Sequence, residues 1–113
     1  MADSYTEITK DDFAEKVLNV PSPQLVVVNF TVPQSNACLI QEPEIVAVSQ
    51  EYQDRMTFVN INVEGQEELT KQWNVEGVPT LIFFRGGKEL YRIKGIVMRN
   101  RLRRQIEGVL LVD

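Results

Sequence analysis

Histidine is missing from this sequence, and cysteine occurs once, as Cys38. Without an imidazole there is no Ser-His-Asp or Cys-His nucleophile and none of the usual zinc-ligand sets, so neither a metal nor a cofactor is expected. A single cysteine cannot close an internal disulfide, which fits a reducing compartment. Any sulfur chemistry must then find its second sulfur outside the chain. Long apolar runs are missing too, since no window is both long and apolar enough to cross a bilayer, and no membrane role is expected. The opening MADSYTEITKDDF has no basic start, apolar run or small-residue cleavage site. No secretory signal is read there, and a cytoplasmic location is the expectation.

What is present is ordinary for a globular chain. With 113 residues, 43% of them hydrophobic and 25% charged, residues 1–113 should form a single domain with a core that needs no covalent staple. The net charge of -4 is unevenly spread: residues 85–113 hold eight Lys or Arg against three acids, and residues 1–84 hold four against thirteen. A solvated, Arg-rich terminal helix accounts for this more simply than a patch for an anionic partner, and no nucleic acid is expected.

Along the chain, Thr9 followed by Asp11 and Asp12 reads as a helix start, with acids where the helix dipole favours them, and the first helix should run through Val17 before Pro21 and Pro23 end it. Gln24–Thr31, QLVVVNFT, is a continuous β-branched run and predicts a central strand buried on both faces. From Ser35 the period changes. Cys38, Ile45, Val48 and Tyr52 share one helical face, and because the spacing continues past Pro43 that proline should kink the helix rather than end it. Met56–Val63 predicts a strand, QEELTKQW a short helix, and Thr80–Arg85, Gly86, Gly87 and Lys88–Gly95 an antiparallel hairpin. A last helix from about Met98 to Leu110 should turn Leu102, Ile106, Val109 and Leu110 inward and Arg99, Arg103 and Arg104 largely outward. The element order is β-α-β-α-β-α-β-β-α, an α/β fold with a mixed central sheet and helices on both faces.

A central strand feeding a loop and a Pro-containing helix, followed by GVPT at the start of a hairpin, resembles the thioredoxin family over nearly the whole chain. The resemblance implies the thioredoxin fold. It lays the family's kinking proline on Pro43, its cis proline on Pro79, its hairpin glycine on Gly87 and the glycine before the last helix on Gly95. The same register sets the family's WCGPC on QSNAC, so that Gln34 stands for the tryptophan, Ser35 for the nucleophilic cysteine, Asn36 for the glycine, Ala37 for the proline and Cys38 for the resolving cysteine. The family's buried proton acceptor falls on Asn29 and the lysine near it on Asn60. The second active-site tryptophan falls on Thr31, and the aspartate after the third strand on Glu64.

Taken with the resemblance, these replacements describe a degenerate site. A thioredoxin attacks a disulfide with a thiolate at a helix N-terminus and resolves the product with a second thiol. A serine hydroxyl at neutral pH is no nucleophile without an adjacent base. Ser35 or Asn36 should instead cap the helix, or help form a small pocket for an anion or thiol. Cys38 is either a small buried apolar side chain or a monothiol that forms mixed disulfides with glutathione or client thiols. Asn29 and Asn60 should sit side by side and bond to each other and to backbone. Around Val78 and Pro79 the family binds an extended substrate segment through main-chain hydrogen bonds, which needs no cysteine. Two functions remain open. One is a polypeptide-binding, chaperone-like or assembly module with its contact at Gln34–Ala37, Val78 and Gly95; the other is a monothiol redox protein acting through Cys38. Neither is expected to be an active dithiol reductase, and a monomer is expected in both cases.

Overall fold

The structure is a computed structural model that describes residues 4–112. One five-stranded sheet carries it, in the order β1-β3-β2-β4-β5. The central strand β2 (Leu25–Thr31) is buried at every residue except Thr31, as its unbroken apolar run requires. It runs parallel to β3 (Met56–Asn62) and antiparallel to β4 (Thr80–Arg85). The edge strand β1 (Tyr5–Ile8) joins β3 in parallel, and β5 (Lys88–Lys94) closes the other edge antiparallel to β4. Gly86 and Gly87 make the β4–β5 turn at φ 58° and 78°, the left-handed region that a tight hairpin turn needs.

Helices cover both faces. On one, α1 (Asn36–Tyr52) and α3 (Arg99–Leu110) bury Ile45, Val48, Tyr52, Leu102, Ile106 and Val109 against Leu25, Val27, Phe58, Leu81 and Phe83. Pro43 lies inside α1. An interior proline costs about 3 kcal/mol. Each large apolar side chain withdrawn from water contributes about 1.5–3 kcal/mol, so the stripe of Ile45, Val48 and Tyr52 offsets that cost. On the opposite face Phe13, Val17 and Leu69 of the short helix α2 (Glu67–Gln72) pack on Val26, Val28, Phe30 and Phe84.

The expected helix from Thr9 through Val17 is not one α-helix. Lys10–Asp12 forms a 3-10 turn and Ala14–Leu18 a π turn. The Asp12 carboxylate turns back to the Thr9 backbone N–H (3.3 Å) and hydroxyl (3.1 Å), while the Asp12 N–H donates to the Thr9 carbonyl at 3.0 Å. That tightens the first turn, and the bond from Asn19 N–H to the Ala14 carbonyl at 2.8 Å widens the second. Phe13 and Val17 still reach the core, at 4% and 1% exposure.

Of the three arginines expected to face largely outward, Arg99 stays exposed and Arg103 is half-buried, and both also reach α1. Arg99 forms a two-point pair with Glu44, both contacts at 3.0 Å, and Arg103 forms another with Glu51 at 2.6 and 2.7 Å. Tyr52 donates to Glu107 at 2.6 Å. Arg104 is exposed.

Candidate functional site at the carboxyl end of the central strand

β2 ends at Thr31, and the chain turns through Val32–Gln34 to reach Ser35. Ser35 is extended (φ -80°, ψ 126°), and its hydroxyl oxygen accepts from the Cys38 N–H at 3.2 Å. This is an N-cap, which satisfies one of the first-turn donors that a helix leaves without a partner. Gln34 and Asn36 are exposed, Ser35 and Ala37 half-buried. Cys38 opens the inward stripe of α1 and is 4% exposed.

Beneath Cys38 lies an open cavity of about 200 Å³, bordered by Cys38 and Glu42 of α1, Glu7 of β1, Asn60 of β3 and Thr31 of β2. The register sets Glu7 opposite Asn60 and Asn60 opposite Asn29, so the row is polar across three strands. Asn29 and Asn60 are thus neighbours, but among the described residues no hydrogen bond joins them. The expected pairing does not form: Asn29 Nδ2 donates instead to the Tyr5 hydroxyl at 2.9 Å, and Asn29 Oδ1 is buried without a partner among the described residues. Tyr5 starts from the edge strand, and its ring is long enough to reach over β3 to Asn29. Burial pushes the Tyr5 hydroxyl well above its ordinary pKa; the Asn29 bond opposes this shift and the negative Glu42 reinforces it.

On the far side of β2, the pairing of Phe30 with Thr80 brings Pro79 beside the carboxyl end of the strand. The Val78–Pro79 peptide bond is cis, as is Ser22–Pro23. Pro79 is buried and Val78 half-buried. The Pro79 carbonyl accepts from the Gly95 N–H at 2.9 Å, and Gly95 has φ 82°. The next segment is held by Gln41, which is 0% exposed: its Nε2 donates to the Val97 carbonyl at 2.8 Å and its Oε1 accepts from the Val97 N–H at 2.7 Å. Loop 95–98 is therefore bonded both to Pro79 and to α1, and Leu39, Ile40, Ile96 and Met98 stay exposed around the join.

Gln41, Tyr5 and Glu42 were not read from the sequence. For Gln41 a signal existed. Positions 38, 41, 45, 48 and 52 are spaced three and four apart, so the inward stripe passes through a polar residue that must find partners. Nothing in the sequence marks Tyr5. Among the described residues, no group of three cysteine or carboxylate side chains converges on a metal position.

The sequence model of the family described as Thioredoxin matches residues 4–108. The chain belongs to the thioredoxin family. It is 34% identical over 106 residues to "Thioredoxin X, chloroplastic" of Arabidopsis thaliana, covering 92% of this chain and 57% of the relative. It is 31% identical over 86 residues to "Thioredoxin-T" of Drosophila melanogaster, covering 76% and 54%, and 26% identical over 101 residues to "Thioredoxin 1" of Nostoc sp., covering 89% and 92%. The chain thus spans a little over half the length of the first two relatives and nearly all of the third. The mixed sheet with helices on both faces is the thioredoxin fold, and this thioredoxin-like chain carries a single cysteine, buried at the third position of a capped helix.

Proposed function

We propose that this thioredoxin-family chain has lost dithiol–disulfide exchange and acts as a polypeptide-binding module, holding an extended segment against Gln34–Ala37, Val78 and Gly95. One observation carries the reading: Ser35 stands where the resemblance puts the attacking thiol, its hydroxyl already caps the Cys38 N–H, and Cys38 itself is 4% exposed. Neither half of a thiol–disulfide relay is on offer to a substrate. The fixed loops support a binding role, because a surface ordered before the partner arrives loses less entropy on association. The reading also takes the protein as a cytoplasmic monomer.

The test is insulin-disulfide reduction with dithiothreitol as the electron source, alongside NMR mapping of an extended peptide library on the wild type and on Cys38→Ala. No rate above dithiothreitol alone, with shifts at Val78 and Gly95 that survive Cys38→Ala, is the expected result. Catalysed reduction, or binding that disappears with the sulfur, overturns it.

A second reading is favoured by one feature, the open cavity that Cys38 borders. In it the Cys38 thiolate attacks one sulfur of oxidised glutathione, the Cys38–glutathione disulfide forms, and the other glutathione leaves as a thiolate. Intact mass after exposure to oxidised glutathione across a pH series, with an unfolded control, separates the two readings. Rapid native modification establishes the monothiol; protection until unfolding removes it.

A further inference from the structure

The surface of α3 divides into three stripes. Leu102, Ile106 and Val109 face the core. Arg99, Arg103 and Glu107, spaced four apart, meet Glu44, Glu51 and Tyr52 of α1. The third stripe runs through Arg101, Gln105 and Gly108 and continues past the helix end to Val112. It borders not another helix but β5, an edge strand with no neighbour on its outer side among the described residues.

Between this stripe and β5 lies a groove of about 200 Å³ lined by Leu90, Tyr91, Gln105, Gly108, Val109 and Val112. Its walls are mostly apolar, yet Tyr91 is 38% and Val112 49% exposed. Gly108 forms part of the wall, and among the described residues a Cβ built there meets nothing within 4 Å. Glycine is a poor helix former, second only to proline, so local stability does not account for its place inside α3.

Among the described residues, the charged side chains flanking the groove that form no ion pair are cations. Arg101 and Arg104 of α3 and Lys88 of β5 form no ion pair among the described residues. Of the acids nearest in sequence, Glu89 pairs with Arg92 at 2.6 and 2.7 Å and Glu107 accepts from Tyr52 on the opposite flank, while Asp113 lies outside the described residues. We propose that this groove docks an acidic polypeptide segment with apolar side chains at alternate positions, laid along the outer edge of β5. An open strand edge offers main-chain partners, the trough takes alternate apolar side chains, and the free cations select acids over bases. Nucleic acid or an anionic membrane would use the arginines but has no use for a trough beside Gly108. The groove is at the end of α3 that meets Tyr52, away from the end where Gln41 holds Val97. It is therefore independent of the contact proposed above.

The test titrates the full ¹⁵N-labelled chain with an acetylated seven-residue peptide that alternates Glu or Asp with Leu or Phe, and with its lysine-for-acid counterpart. Saturable shifts at Leu90 and Tyr91 and over residues 105–112 with the acidic peptide alone are expected. Gly108→Leu should melt no lower than the wild type and weaken binding by about tenfold or more, the scale of an interface centre. The double variant Arg101→Glu, Arg104→Glu, which leaves the trough open, should weaken it comparably. The proposal is overturned if shifts are missing or map to Gln34–Cys38, if the lysine peptide binds equally, or if folded Gly108→Leu binds as the wild type does. It is also overturned if a single-stranded oligonucleotide or phosphatidylserine vesicles bind there and the acidic peptide does not.

Discussion

The Asn29 side chain donates to the Tyr5 hydroxyl at 2.9 Å, reaching from the central strand to the sheet edge across the whole of β3. Asn29 is 1% exposed, and its Oδ1 has no partner among the described residues. Tyr5→Phe would leave both ends of a buried amide unpaired and should cost about 1–3 kcal/mol in urea unfolding. Adding Asn29→Val should recover most of that loss, because removing both partners leaves nothing unsatisfied. Equal stability of wild type and Tyr5→Phe would show the bond to be idle.

The Ser35 cap predicts a local and chemically specific loss. Ser35→Ala should cost about 0.5–2 kcal/mol, and Ser35→Asn should retain most of the stability, since both side chains offer an oxygen to a first-turn N–H. Amide hydrogen exchange at Cys38 should quicken in the alanine variant alone.

Two adjacent glycines should respond differently to substitution. A Cβ at Gly87 would sit 2.9 Å from the Leu18 carbonyl oxygen, and φ is 78°, so Gly87→Ala should destabilise by about 1–3 kcal/mol. Gly86, at φ 58°, would place its Cβ 3.7 Å from the Ser22 Cβ, and Asn tolerates that backbone, so Gly86→Asn should stay within about 0.5 kcal/mol of wild type. Similar melting temperatures for the two variants would contradict this account.

Opposite ends of the pH scale should each report one contact between α1 and α3. The hydrogen bond from Arg99 holds the Glu44 carboxyl below the ordinary carboxylate range. Its contribution is therefore present above that range and lost as pH falls through the lowered folded value, and Glu44→Gln should flatten the acid side of a Tm-versus-pH curve. Burial, then the bond to Glu107, pushes Tyr52 up to about 12 from 10.0. The neutral phenol is the favoured folded form, so its contribution is complete below pH 10 and lost as pH rises through about 12. Tyr52→Phe should remove that part of the alkaline loss, and an unchanged curve for either variant would detach the contact from stability.

Much of this architecture was legible because single residue types have few alternatives. The run LVVVNF can be buried on both faces only as a central strand, Gly86–Gly87 admits the hairpin turn, and the apolar spacing after Pro43 kept α1 whole through its proline. Tyr5–Ile8 was harder to place because four residues, two of them exposed polar, carry no pattern of their own; parallel pairing to β3 makes them a strand. The turn at Thr9 misled for the opposite reason. Its acids do mark a start, but the Asp12 side chain closes back on Thr9 and tightens the backbone. In the site, Ser35 and its capping role were readable from residue type. Asn29 was assigned the wrong partner because strand register gives backbone neighbours, whereas the length of a tyrosine from the next strand decided the bond.

Gln41 offers one backbone residue both halves of the hydrogen bonding that an adjacent strand would supply, and does so from inside a helix. The Gly95–Met98 loop is thereby locked to the same rigid body as Ser35–Cys38, with no strand spent on it. Substitutions in that loop should consequently change its shape and charge without loosening it, so the surface can diverge while its stiffness is inherited from the Gln41 amide in α1 and the Pro79 carbonyl.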